Sequence, residues 1–294
     1  MTTTYLDVET TFVVDENRRT DPSPFNANNK LVTVQYSHGD ELPQLHWFYH
    51  KDMDEMSTEM AVGEAFNLVQ NVLDKTTLLV GHNIKFDLMW LWESGFTYDG
   101  KVYDTMIGEY VLMRGQKWGL SLHDSCIRRK VALKKSDLTH NYLKDGIGFD
   151  AMPMDVVQEY GIADVESTKQ LYFAQQEIFR NSHNSPMRKH LKLMNDFLPI
   201  LTVIERNGIK IDFTTLEKVR LDYEIEQREL KAKMEEICRE VMGDTNVNFA
   251  SPEQVSQLIY SRKVLDKKKW AEAFNIGLNE KGKPLLRPRL SLPH

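Results

Sequence analysis

The sequence predicts an α/β fold: a mixed five-stranded sheet flanked by helices, followed by a helical segment. Three observations predict it. Residues 5–49 hold three apolar, strand-like runs separated by short turn-rich connections. Residues 77–81 and 101–103 add two more short runs that alternate with helical patterns. From Pro186 onward the periodic stretches are helical and charged, interrupted by a turn at Asn207-Gly208 with Ile209-Lys210-Ile211-Asp212.

The first run, Tyr5-Leu6-Asp7-Val8-Glu9-Thr10-Thr11, sets an acidic pair inside an apolar strand. Residues two apart in a strand share a face, so Asp7 and Glu9 point one way while Leu6 and Val8 point the other. No Lys or Arg occurs from Met1 to Glu16. The pair therefore repels itself and resists burial unless a cation compensates. Taken alone, it reads first as solvated surface, since acidic residues at strand ends are common.

Pro22, Pro24, Asn26, Asn28 and Asn29 make residues 20–30 a turn region leading into the strand Leu31–Tyr36, and Gly39 and Pro43 precede the strand Gln44–Tyr49. Such short connections favour an antiparallel meander. Met60, Ala65, Phe66, Val69 and Val72 or Leu73 then recur at helical spacing over 58–73, predicting a crossover helix with Ser57 or Thr58 as its cap. Thr77–Gly81 is a short buried strand. Ile84–Trp92 follows as a helix apolar nearly all round, hence buried, with His82-Asn83 as its cap. Lys101–Tyr103 is the fifth strand, and helices are predicted over 104–113 and 121–129. Pro153 starts a helix to about Arg180 whose apolar stripe includes Val157, Tyr160, Asp164 and Leu171.

The second unit is predicted over 186–276: an amphipathic helix to Arg206, a turn at Asn207-Gly208, a long charged helix over 215–241 and a short helix over 252–260. An irregular tail follows over 277–294. The chain carries 41% hydrophobic and 27% charged residues, enough for one full core and a smaller unit. Residues 186–294 hold 20 Lys and Arg against 16 Asp and Glu, a balance of +4, whereas residues 1–185 hold 17 against 27, a balance of −10. An acidic first part suits a divalent-cation site, and a basic second part suits phosphates. No apolar run approaches the roughly 18 to 20 residues of a membrane span, and the start lacks a signal-peptide layout. Cys126 and Cys238 are far apart, without metal-ligand spacing. These features place the chain in the cytoplasm and argue against membrane, disulfide-framework and zinc-module classes.

Three buried-looking segments thus present carboxylates where apolar residues belong: Asp7 and Glu9, then Asp87, then Asp164. Burying an unpaired carboxylate costs several kcal/mol, so a shared cation cluster is the economical explanation. All-oxygen ligands favour Mg²⁺ or Mn²⁺. Two such ions are the usual apparatus for attack on a phosphodiester. Tyr160 precedes Asp164 by one helical turn and serves either as a core residue or as a group reaching the attacking water. Asn83 stands in the same relation to Asp87, as an ordinary N-cap, an active-site residue or both. His82 is a packing or hydrogen-bonding residue rather than a ligand.

Asp7-Val8-Glu9, Gly81-His82-Asn83-Ile84-Lys85-Phe86-Asp87 and Tyr160-Gly161-Ile162-Ala163-Asp164 resemble, in order and spacing, the three exonuclease motifs of the tyrosine-bearing DEDD superfamily. Tyr103-Asp104-Thr105-Met106, Leu201–Asp212 and Asn248–Val255 are similar to the proofreading region and thumb of family A DNA polymerases. The resemblance covers residues 5 to about 262. It implies a ribonuclease H-like domain over 1–185 and a partial polymerase thumb over 186–276. It implies two divalent cations, Mg²⁺ or Mn²⁺: Asp7, Glu9 and Asp164 on the first, Asp7 with Asp87 on or near the second. Glu9 and Tyr160 would orient the attacking water, and Asn83 and Thr10 would contact the substrate.

The implied activity is 3′-5′ exonuclease release of 5′-mononucleotides from single-stranded or frayed DNA ends, as the proofreading part of a replicative enzyme. Palm and finger motifs are absent, so no synthesis is expected from this chain alone, which is then either a truncated polymerase or one half of a split enzyme whose partner would be a separately encoded polymerase half. No 5′ nuclease segment precedes the first strand, as in several phage polymerases, which would put the protein in a bacterial host cytoplasm. Two other readings compete: an RNase D-like RNA exonuclease with the same residues, and a non-catalytic nucleic-acid-binding module on a nuclease fold. The Gly208–Asp212 turn and Ser251-Pro252 favour the polymerase reading over the first, and the full carboxylate set disfavours the second.

Overall fold

The computed structural model describes residues 2–14, 20–53, 55–131, 137–242 and 247–259. Strand β1 (Thr3–Thr10) is followed by a small ribbon, β2 (Val13–Val14) with β3 (Thr20–Asp21), the second strand of which falls at the start of the region expected to be turns. Then come β4 (Leu31–His38), β5 (Gln44–Trp47), β6 (Leu78–Gly81) and β7 (Lys101–Asp104). The main sheet has five strands in the order β5-β4-β1-β6-β7. β4 is antiparallel to β1 and β5, giving the expected meander, while β6 is parallel to β1 and to β7.

Helix α1 (Glu55–Lys75) makes the crossover from β5 to β6, and α2 (Ile84–Glu93) connects β6 to β7. On one face of β1, Leu6 and Val8 pack with Val69 and Leu73 of α1 and with Ile84, Leu88 and Leu91 of α2. Each fully buried side chain of this size contributes roughly 1.5–3 kcal/mol. Ile84, Leu88, Met89, Trp90 and Leu91 are all buried, as an all-round apolar helix requires.

Asp104 ends β7 and caps α3 (Thr105–Leu112), its side chain accepting from the Met106 and Ile107 amides. Ser121 caps α4 (Leu122–Arg129) by accepting from the Asp124 amide at 3.1 Å. Helix α5 (Asp137–Lys144) was not expected; only Thr139 in it is buried, so it lacks the apolar stripe that would announce it. The long α6 (Met154–Arg180) covers the other face of β1, where Tyr5 packs with Val80, Tyr103, Val165 and Phe179.

Helix α7 (Ser185–Asn207), expected to open the second unit, packs instead on α2, α3 and β7. It buries Leu191 and Leu198 and pairs Glu205 with Lys85 at 2.7 Å. The compact units accordingly divide between Gly208 and Ile209 rather than at 185/186. Gly208 ends α7 at φ +63°, a left-handed conformation that glycine adopts without a Cβ clash, and its amide reaches back to the Ile204 and Glu205 carbonyls.

The second unit, taken by itself, is helical. Asp212 caps α8 (Phe213–Met242), accepting from the Thr214 and Thr215 amides at 3.0 and 3.2 Å. Before α9 (Pro252–Ile259), Asn248 accepts from the Ala250 amide and donates its own amide to Gln254, while Ser251 accepts from the Gln254 amide. The Asn248–Val255 segment is thus a capping device with proline at the first helical position. The expected tail over 277–294 lies outside the described residues. Among the described residues no helix is long and apolar enough to cross a membrane.

Candidate active site

The central strand β1 and the long helix α6 bring the key carboxylates together. Strand alternation puts Asp7 and Glu9 on the face that α6 covers, and α6 presents Asp164 to them. Asp7, Glu9 and Asp164 each offer a carboxylate oxygen, and these oxygens lie within 4.8 Å of one another. Asp164 and Glu9 are buried, and Asp7 is half-buried.

Asp87 is also buried, but it stands outside that group of three. Its Oδ1 accepts from the backbone amide of Val8 at 3.0 Å, clipping α2 to β1 between the two acidic residues of the strand. Burial, and then the charge of Asp7, push the Asp87 carboxyl well above the usual carboxylate range. Three converging carboxylates beside a fourth whose ionisation Asp7 opposes form an oxygen-rich, negatively charged donor set, which fits a hard divalent cation such as Mg²⁺.

Tyr160 is buried one turn before Asp164 and faces the same carboxylates. Its phenol is pushed strongly up, first by burial, then by the charges of Glu9, Asp164 and Asp7, and it hydrogen-bonds Asp164. Its ring packs on Phe149 at a centroid distance of 5.6 Å.

Asn83 does not act as the expected cap. It occupies the N-cap position of α2, but at φ +63° and ψ +42°, with no side-chain capping bond. Asparagine tolerates this left-handed conformation better than most residues. Its backbone amide donates to Asp104 Oδ1 at 2.9 Å, and the residue is exposed. His82 uses both ring nitrogens, Nδ1 with Thr105 Oγ1 and Nε2 with the Leu120 carbonyl, each at 2.9 Å, in agreement with a hydrogen-bonding role.

Thr10 is buried where the β1–β4 register shifts, next to Glu9. Glu9 and Thr10 line a cavity of about 370 Å³ with Val8, Phe12, Phe86 and Phe149.

The sequence pattern missed two groups that support the site. Gln35 of β4 lies opposite Asp7 and donates to it, and Asp104 anchors Asn83. In the sequence Asp104 reads as the first residue of the helix over 104–113, whereas it caps that helix from outside.

Burial raises the Asp104 carboxyl to about 6, against four backbone amides that favour its charge. In the unfolded chain it titrates near 3.9. Between about pH 4 and pH 6 the folded state then holds more protons than the unfolded state, so stability falls as pH rises through that window. The loss from this group is at most about 3 kcal/mol. Asp104→Asn is expected to remove that part of the slope, measured as urea unfolding in EDTA at pH 4 and pH 7; an unchanged pH 4 to 7 difference would show that Asp104 is not the group concerned.

The acidic cluster at the middle of the sheet has the donor set of a divalent-cation site. Residues 21–177, more than half of the chain, match the family described as 3′-5′ exonuclease, and the chain belongs to this exonuclease domain family of the family A DNA polymerases. A DNA polymerase of Bacillus phage SP01 is 23% identical over 292 residues, 92% of this chain and 31% of that polymerase. DNA polymerase I of Borreliella burgdorferi is 24% identical over 196 residues, 65% of this chain and 20% of that enzyme. The chain thus spans less than a third of these relatives' length. Among solved structures, the POL domain of Pol1 from M. smegmatis, in complex with DNA primer-template and dNTP, is 15% identical with a TM-score of 0.54, covering 95% of this chain and 40% of that one. It shares the fold, which is ribonuclease H-like.

Proposed function

We propose that the chain is a 3′-5′ DNA exonuclease that releases 5′-mononucleotides from single-stranded or frayed 3′ ends, the proofreading activity of a family A DNA polymerase. The observation that carries this reading is the meeting of Asp7, Glu9 and Asp164 beside the Tyr160 hydroxyl in a chain of the exonuclease family. Asp7, Glu9 and Asp164 would hold one Mg²⁺ or Mn²⁺, and Asp7 with Asp87 a second. Bound there, the cations supply charge stabilisation for the attacking water and the leaving oxygen.

The rest falls to the protein. With its pKa raised, Tyr160 stays a neutral phenol at physiological pH, so it orients water and does not serve as a base. Its O–H donates to Asp164, which leaves the oxygen lone pairs to accept from the water. Glu9, on the same strand face as Asp7, is placed to accept from that water as well. Phe12, Phe86 and Phe149 offer rings against which a terminal base can stack, in the cavity beside Glu9 and Thr10. The exposed side chain of Asn83 stands ready for the strand.

The test follows 3′-end degradation of DNA and RNA strands of equal sequence, with Mg²⁺, Mn²⁺ or excess EDTA. Stepwise 5′-mononucleotide release from DNA, lost in EDTA, is expected. Preferential degradation of RNA would turn the assignment to the RNA exonuclease reading, and undiminished activity in EDTA would exclude the metal mechanism.

A further inference from the structure

We infer that Gln35 is a positioning residue for Asp7, and that position 161 must be glycine to leave room for it; the inference rests on the exonuclease reading above. In the β1–β4 ladder Asp7 faces Gln35 and Glu9 faces Thr33, so a polar pair stands opposite the acidic pair. Thr33 and Gln35 are fully buried, at 0% exposure each. Gln35 Nε2 donates to Asp7 Oδ2 at 2.7 Å, and the Thr33 hydroxyl donates to Gln35 Oε1 at 2.9 Å. The second bond sets the direction of the first. With Oε1 taken by a hydroxyl donor, the amide group must present its NH₂ to the carboxylate. A neutral donor fixes the rotation of that carboxylate without cancelling its charge, as a lysine or arginine would.

Gly161 adds an independent observation from the other side of the site. It lies in the first third of a 27-residue helix and is not among the glycines with positive φ, so alanine would be the better helix former there. A Cβ at this position would stand 3.0 Å from Gln35 Cδ, 3.1 Å from Nε2 and 3.3 Å from Cγ. All three nearest atoms belong to Gln35. A methyl group would therefore press on the amide that holds Asp7, and α6 carries glycine directly beside Tyr160 at a cost in helix propensity.

If Thr33 and Gln35 only satisfied each other in the core, their loss would lower the melting temperature without selective harm to metal binding. The experiment compares the wild type, Gln35→Ala, Gly161→Ala, the double variant and Thr33→Val. For each it measures Mn²⁺ affinity by calorimetry, the metal-free thermal melt and single-turnover nucleotide release.

Gln35→Ala and Gly161→Ala are each expected to weaken Mn²⁺ binding and slow release by about 10- to 100-fold. In the Gln35→Ala background the Gly161→Ala change has nothing to displace, so it should cost no more than about twofold. Thr33→Val should shift both quantities in the same direction by a smaller factor. Unchanged Mn²⁺ affinity in both single variants, or losses that multiply in the double variant, would overturn the inference. Should Gln35→Ala not fold, Gly161→Ala and Thr33→Val decide: lost affinity at an unchanged melt supports it, and unchanged affinity refutes it. A wild type that binds Mn²⁺ but releases no nucleotide sinks the exonuclease reading, while the affinities still decide the role of Gln35.

Discussion

Asp7→Ala is expected to lower single-turnover nucleotide release at least about 10³-fold, roughly 4 kcal/mol of transition-state stabilisation, while leaving the protein folded. The size of the effect follows from the place of Asp7. It belongs to the group of three carboxylates, and its charge also acts on Asp87 and on Tyr160. Removing it takes away a ligand and alters the environment of both neighbours, so no other carboxylate of the cluster can substitute for it. Stability responds differently. Without metal, the loss of Asp7 relieves repulsion among like charges beside β1 but leaves the buried Gln35 amide without its acceptor, so the metal-free melt should stay close to that of the wild type. The two measurements together separate a ligand from a structural residue. A variant that retains more than a tenth of the wild-type rate would sink the assignment of Asp7 to the metal site, and one that loses rate and melt together would recast it as a folding residue.

Tyr160→Phe is expected to slow release by about 10² to 10⁴, or roughly 3 to 5 kcal/mol, through loss of one oriented hydroxyl. The ring and its contact with Phe149 remain, so the buried position stays filled and the melt should not fall. Metal affinity should also hold, because Asp7, Glu9 and Asp164 are untouched. The loss should be equal for single-stranded DNA, a mismatched terminus and a matched duplex, since the hydroxyl acts after the end has been melted into the site. Single-turnover decay of the three substrates at saturating Mg²⁺, alongside melts of both proteins, makes the comparison. An unchanged rate with an unchanged melt would return Tyr160 to the core, and a loss confined to duplex ends would make it a strand-separating residue.

Much of the fold was legible because alternation and helical spacing are local. The position of Asp7 and Glu9 opposite Leu6 and Val8 follows from strand geometry alone, and the burial of Asp87 and Asp164 follows from the apolar faces on which they lie. What could not be read is what depends on partners distant in the chain. An amphipathic α7 announces an apolar face but not that α2, α3 and β7 cover it, and the unit boundary moved with that contact. Asn83 in the sequence looks like any N-cap, because its left-handed turn is fixed by Asp104 across the sheet edge. Thr33 and Gln35 resemble the polar residues of an exposed strand face, yet α6 buries both.

β1 is hydrogen-bonded on both edges, to β4 along most of its length and to β6 at its start, and it carries Asp7 and Glu9. A central strand of this kind exchanges its amide protons only when the whole domain opens, whereas edge strands and loops exchange through small local fluctuations. Asp7 and Glu9 therefore sit on the strand with the most slowly exchanging backbone of the sheet. Local fluctuations of the edge strands and loops leave the spacing of Asp7 and Glu9 on β1 unchanged.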